Sequence, residues 1–159
     1  MKTSAKSLLV VLLMLFVGCT AAEEGPSAEE VEAAALAAQI DSVEQALAML
    51  TPEAFDSISW DSDQAALDRG AVVFSVSCAK CHGRQGAGDG GMVQQGDTLV
   101  PPTFLVADWR FAEDHDNLRR HIFAGTVNGM PHWGLHGLKL RDVDGVARYI
   151  NGELRKEME

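Results

Sequence analysis

Apolar positions recur along this chain at helical spacing. Leu36, Ile40, Val43, Leu47 and Leu50 follow one another at steps of four, three, four and three, which predicts an amphipathic helix. Ser27 with Glu30 three residues on opens it as a capping box, and Thr51-Pro52 closes it. Asp61 to Gln64 supplies a second start signal, and Ala65 to about Val76 carries Ala66, Leu67, Gly70, Val73 and Phe74 on one face. From Gly83 to Pro102 the period vanishes into glycines, polar residues and a double proline. A loop that long inside a compact domain is best explained by wrapping a ligand. Asp116 to Phe123 reads as a short helix, Gly125 to Gly137 as another loop. Arg141 to about Lys156 reads as a closing helix with Val143, Val146, Tyr149, Ile150 and Leu154 at helical spacing. No strand pattern stands out and no segment repeats, so the reading is a mostly helical domain with long connections.

The chain ahead of these helices is of another kind. Lys2 and Lys6 precede an unbroken apolar run from Leu8 to Val17, too short to span a bilayer and of the length of a secretory signal core. Phe16-Val17-Gly18-Cys19 resembles a bacterial lipoprotein box, although Phe16 departs from the usual leucine. The resemblance implies cleavage after Gly18 and lipidation of Cys19. The expected organisation is then a signal peptide over 1–18, a linker and amphipathic helix over 19–60, and the main domain over 61–159. The expected location is outside the cytoplasm, on the periplasmic or extracytoplasmic side of a bacterial membrane. The N-terminal helix would be a spacer or docking helix, or would pack on its own domain.

Of the 159 residues, 47% are hydrophobic and 23% charged, the composition of an ordinary folded domain. The formal charge of −10 argues against nucleic acid, which selects for surplus Lys and Arg. It suits docking to basic protein surfaces.

Two of the three cysteines lie in Cys78-Ala79-Lys80-Cys81-His82. A structural zinc site needs a second ligand pair, and none of His115, His121, His132 and His136 forms a pair with a cysteine. A thioredoxin-like dithiol needs a βαβ setting, and this motif leaves a helix for a glycine loop. Covalent haem attachment needs only what is present. Two thiols separated by two residues add to two vinyl groups of one porphyrin, and the histidine directly behind them is carried to the iron. The sixth iron ligand would be Met130 in Gly129-Met130-Pro131, a soft thioether that favours Fe(II). Met92 lies too close behind the motif to reach round the ring. His132 is the nearest competitor, ahead of His136.

From about Asp63 to Lys156 the chain resembles a class I c-type cytochrome. Gly70 and Phe74 precede the motif Cys78 to Gly83; a glycine loop, a proline pair, Gly125 to Met130-Pro131 and finally Tyr149 follow. The resemblance implies an all-α cytochrome c fold, with N- and C-terminal helices crossed near Gly70, Phe74 and Tyr149 around one covalent haem c. Here that fold is preceded by an extra N-terminal helix. It also implies that the carbonyl of Pro101 or Pro102 accepts a hydrogen bond from His82, and that Trp109, Arg110 and Trp133 are available to the haem propionates or ring edge. His115, His121 and His136 receive no role. The implied function is that of a membrane-tethered, single-haem electron carrier, not itself an enzyme, working with redox proteins either alone or as a subunit of a respiratory complex. The alternative is a ligand-binding sensor or peroxidase-like haem protein with a labile sixth ligand.

Overall fold

A computed structural model describes residues 25–94 and 96–156. The segment ending at Cys19, with its expected cleavage and lipidation, lies outside the described residues. Helix α1, Ala28–Ala48, opens with the expected capping box: Ser27 Oγ accepts from the Glu30 amide, and Glu30 accepts from the Ser27 amide at 2.7 Å. Helix α2, Asp63–Val73, is capped by Ser62, whose side chain accepts from the Ala65 amide at 3.1 Å. It runs into a π-helical turn, Phe74–Cys78, and then the short helix α3, Ala79–His82. Helix α4, His115–Ala124, is capped by Asp114 and stopped by Gly125 in the left-handed region at φ 72°. Helix α5, Leu140–Tyr149, continues as a π-helical turn, Ile150–Leu154. The closing helix read over 141–156 is therefore an α-helix finished by a wider turn.

One expectation needs correction. Within the long glycine loop, β1, Val93–Gln94, pairs antiparallel with β2, Asp97–Thr98. Two paired positions are too few to leave an alternating pattern in sequence. The ribbon is exposed and adds no sheet layer to the helical core.

Helices α2 and α5 cross in close contact. A Cβ on Gly70 would lie 2.1 Å from the Gly145 carbonyl oxygen and 2.7 Å from Tyr149 Cβ. Gly70 thus lets its helix meet the backbone of Gly145 where any larger residue at 70 would hold the two apart, while a Cβ on Gly145 would be only tight, 3.3 Å from the Ala66 carbonyl oxygen and the Trp60 ring. Phe74 and Tyr149 pack beside the crossing with ring centroids 5.6 Å apart. The core below is built from Val73, Val143, Val146 and Ala147, all buried. Helix α1 packs on α4 through its C-terminal end, where Ala46, Leu50 and the following Phe55 are buried. Arg120 on α4 secures that end by donating to the carbonyl of Pro52 at 2.7 Å. Residues 28–40 of α1 are exposed on every side.

Candidate functional site

The motif cysteines and histidine are carried by the helical turns after α2. The π-helical turn buries Cys78, while Cys81 and His82 on α3 are half-buried, and both cysteines are free thiols. The glycine loop then folds back over the motif. Gly88 N–H donates to the His82 carbonyl at 2.8 Å, and Gly90 N–H to the Cys81 carbonyl at 3.2 Å. Phe104 N–H is tied to the Gly86 carbonyl at 2.8 Å, which brings its ring flat against His82, centroids 4.7 Å apart.

Met130 approaches from the loop between α4 and α5. Its turn is closed by two bonds to Thr126: Met130 N–H donates to Thr126 Oγ1 at 3.2 Å, and Thr126 N–H donates to the Met130 carbonyl at 3.0 Å. Gly125 makes that turn possible, since a Cβ there would lie 2.5 Å from the Met130 carbonyl oxygen. Sequence reasoning missed Thr126, although its spacing of four from Met130 within the quoted loop was the available signal.

Two cavities meet at these residues, one of about 380 Å³ and one of about 160 Å³. Both are lined by Cys78, His82, Thr126 and Met130. Cys81 lines the smaller one. The larger has an apolar wall of Phe104, Phe111, Leu118, Ile122 and Ile150. The residues singled out in sequence therefore converge on one apolar crevice, although His82 and Met130 are forty-eight positions apart.

The electrostatics of the crevice follow from its dryness. Burial, followed by the neighbouring Cys81, pushes the Cys78 thiol up to about 12, against a smaller opposing effect of Lys80. A thiol held that high is a poor thiolate source, which weighs against a reactive dithiol. Burial, with a smaller contribution from His121, lowers His82 to about 4, so its imidazole is neutral at pH 7 and keeps a lone pair for a metal.

The proline hydrogen bond expected at His82 is not formed. His82 Nδ1 is buried without a partner, so neither Pro101 nor Pro102 accepts from it. The Pro101 carbonyl is instead turned to Gly88, 2.3 Å from where a Cβ would stand on that glycine. The orphaned nitrogen and the shared cavities nonetheless suit a flat apolar cofactor ligated by His82, because such a group would fill the crevice that His82 and Met130 both face.

The other candidates separate. Trp109 and Arg110 line the larger cavity and Trp133 the smaller. The Trp109 indole N–H donates to Asn151 Oδ1 at 3.3 Å, and Arg110 is 3.3 Å from His121 Nδ1. The His132 and His136 rings lie tilted at 47° to each other, centroids 4.6 Å apart, and neither lines either cavity. Met92 is likewise outside both. His121, given no role in sequence, lines the larger cavity. His115, also given none, bonds the buried Asp144 at 3.2 Å.

Comparison with known proteins gives this crevice a family. A family model described as cytochrome C oxidase, cbb3-type, subunit III matches residues 65–150. Among curated proteins the chain is 28% identical over 92 residues to the Cbb3-type cytochrome c oxidase subunit CcoP of Cereibacter sphaeroides, an alignment covering 58% of this chain and 29% of that one. It is 29% identical over 72 residues to the same subunit of Azospirillum brasilense, covering 45% and 23% of the two chains. The chain thus spans less than a third of the length of these relatives. No solved structure matches it significantly. With more than half of its length matched, crossed helices and a Cys-x-x-Cys-His crevice, the chain belongs to the cbb3-type cytochrome c oxidase subunit III family, whose members are c-type cytochromes that hold haem covalently.

Proposed function

We propose that the domain is a one-electron carrier holding a single haem c, attached through Cys78 and Cys81 and ligated by His82 and Met130. The observation that carries this reading is the convergence of His82 and Met130 on one crevice whose wall also includes Cys78. Bound haem iron supplies a one-electron Fe(III)/Fe(II) couple. The chain's part would be to hold that couple in a dry crevice, with the neutral His82 imidazole and the Met130 thioether as its ligands. The Thr126 bonds fix the Met130 turn, and the glycine loop, folded back on α3, fixes His82. If His82 and Met130 both held the iron, no position would be left on it for a substrate, and the domain would pass electrons without transforming a molecule itself.

Only one Cys-x-x-Cys-His run occurs in the 159 residues, which supports one haem. Lipid on Cys19 would hold the carrier at the outer side of a bacterial membrane, where tethering raises its effective concentration at redox partners. Its relatives are subunits of a cbb3-type cytochrome c oxidase, which supports a place in or beside a respiratory complex, facing partners with basic docking surfaces.

The test is the absorption spectrum of the full chain, made with covalent haem-attachment machinery, in oxidised and reduced forms. The expected result is a c-type Soret band with the weak far-red band of methionine-ligated ferric haem. Met130→Ala should abolish the far-red band and open the reduced protein to carbon monoxide. A far-red band that survives in Met130→Ala removes Met130 from the iron. Carbon monoxide binding by the unaltered reduced protein at pH 7 favours the ligand-binding alternative. Cys78→Ala with Cys81→Ala should leave haem extractable by acidified organic solvent; haem that stays attached would overturn the assignment of the thioethers.

A further inference from the structure

Negative charge is distributed very unevenly along this chain. Twelve of the 23 Asp and Glu residues lie between Glu23 and Asp68, a stretch without a single Lys or Arg. From Arg69 onward there are eleven acidic and eleven basic residues. Nine of those twelve precede residue 61, and the other three, Asp61, Asp63 and Asp68, open the cofactor domain, which over 61–159 holds fourteen acidic and eleven basic residues; most of the excess acid therefore belongs to the N-terminal arm.

Much of that arm is helix α1. Its last turns are anchored by Ala46, Leu50 and Phe55 against the core. Residues 28–40 project from this base for about 20 Å at the rise of an α-helix, with every residue exposed. A spacer in water would be polar all round, yet Leu36, Ile40 and Leu47 stand 49%, 40% and 46% exposed, and Val31 54%. At helical pitch Leu36, Ile40 and Leu47 fall within a sector of roughly 40°. Glu30, Asp41 and Glu44 flank that sector on one side and Glu32 on the other; Glu29 continues the sector at its N-terminal end, and Val31 lies on the opposite face. Alanine propensity and the Ser27–Glu30 capping box favour the helical form without a partner. The helix is thus presented already formed, which lowers the ordering cost of binding.

We infer that the exposed stripe of α1 is a docking helix for a basic-rimmed apolar groove on a partner protein. Leu36, Ile40 and Leu47 enter the groove, and the flanking carboxylates meet Lys or Arg on its rims. Charge selects this occupant. A second copy would set acid against acid with no cation on either helix. A membrane surface is anionic on average and attracts helices edged with Lys and Arg; α1 has neither. The inference is independent of the haem assignment, since it concerns residues outside the crevice and outside the matched span 65–150.

The experiment is site-specific photocrosslinking with the full chain in cells of the source organism. p-Benzoylphenylalanine is placed in turn at Leu36, Ile40 and, on the opposite face, Ala38, and the crosslinked peptides are sequenced by mass spectrometry. The expected result is one protein adduct from Leu36 and Ile40, at least tenfold weaker from Ala38. Its crosslinked peptide should come from an apolar groove bordered by Lys or Arg. The adduct should fall at least tenfold in the Glu30→Lys, Asp41→Lys, Glu44→Lys variant. Circular dichroism checks that the helix survives these changes; should it not, Glu30→Gln, Asp41→Asn, Glu44→Gln removes the charge at nearly the same shape. An adduct made of two copies of this chain overturns the inference in favour of self-association. A lipid adduct overturns it in favour of the membrane. Equal adducts from all three positions, or none, make residues 28–40 a solvated spacer.

Discussion

Replacing Asp144 by alanine is expected to lower the stability of the domain by about 3–5 kcal/mol, the usual cost of removing one partner from a buried charge cluster. Asp144 sits on α5 with no exposed surface and gathers four donors. Trp60 Nε1 donates at 2.7 Å, Arg119 at 2.8 Å and Arg148 Nε at 2.8 Å, and His115 Nε2 lies at 3.2 Å. These come from the segment before α2, from α4 and from α5 itself, so one carboxylate ties three parts of the chain together. Without it the Arg119 guanidinium, only 12% exposed and with its Nε already unpartnered, loses its buried counter-charge. Arg148 is 39% exposed and can turn to water, so Arg148→Ala should cost about 1 kcal/mol or less. Urea unfolding of the three proteins checks the order. Equal losses for both variants would show that the cluster does not act as a hub.

The same carboxylate predicts a pH signature. Burial pushes its pKa up, but hydrogen bonds from His115, Arg148, Trp60 and Arg119 together outweigh burial and hold it well below the usual carboxylate range. Because the folded value is depressed, the stabilisation is complete above the unfolded aspartate value of about 4 and is lost as pH falls below it toward the folded value. The stability gap between the protein and Asp144→Asn should therefore be constant near neutrality and narrow as pH falls below about 4. A gap of the same size at pH 7 and pH 3 would refute the assignment.

At the helix crossing, Gly70→Ala should cost at least about 3 kcal/mol, the upper end of overpacking effects. The new methyl would meet the Gly145 carbonyl oxygen at 2.1 Å, and a backbone oxygen inside a helix cannot swing aside as a side chain does. Gly152→Ala is the matched control. Its Cβ would meet only Leu67 Cδ2, at 3.5 Å, and the expected change is a few tenths of a kcal/mol, stabilising if anything. Similar losses at both positions would mean that glycine at 70 serves backbone freedom and not close approach. A lowered yield of haem-loaded protein for Gly70→Ala is also expected, because the crossing positions the turn that carries Cys78 into the crevice.

What was legible in the sequence is what is local. The α1 capping box, the 3.6-residue periods of α2, α4 and α5, the breaks at Thr51-Pro52 and Gly125, and the Cys-x-x-Cys-His run are each set by neighbours within a few positions, so the chain determines them by itself. The demand of a haem motif for a second ligand pointed to Met130, and the likeness to c-type cytochromes added the crossing at Gly70, Phe74 and Tyr149. Gly145, whose carbonyl Gly70 meets at the crossing, went unnoticed because a backbone contact leaves no apolar mark. The two-residue ribbon was too short to show an alternation. The Asp144 cluster could not be read at all. An aspartate between Val143 and Gly145 looks like any exposed helix residue until packing brings Trp60, His115 and Arg119 around it from 25 to 84 positions away. The orientation of Pro101 toward Gly88, and the projection of α1 clear of the domain, are likewise matters of which surfaces meet. Local pattern determines which elements form; only the tertiary structure decides which surfaces are paired, because a contact free energy depends on groups that sequence distance does not order.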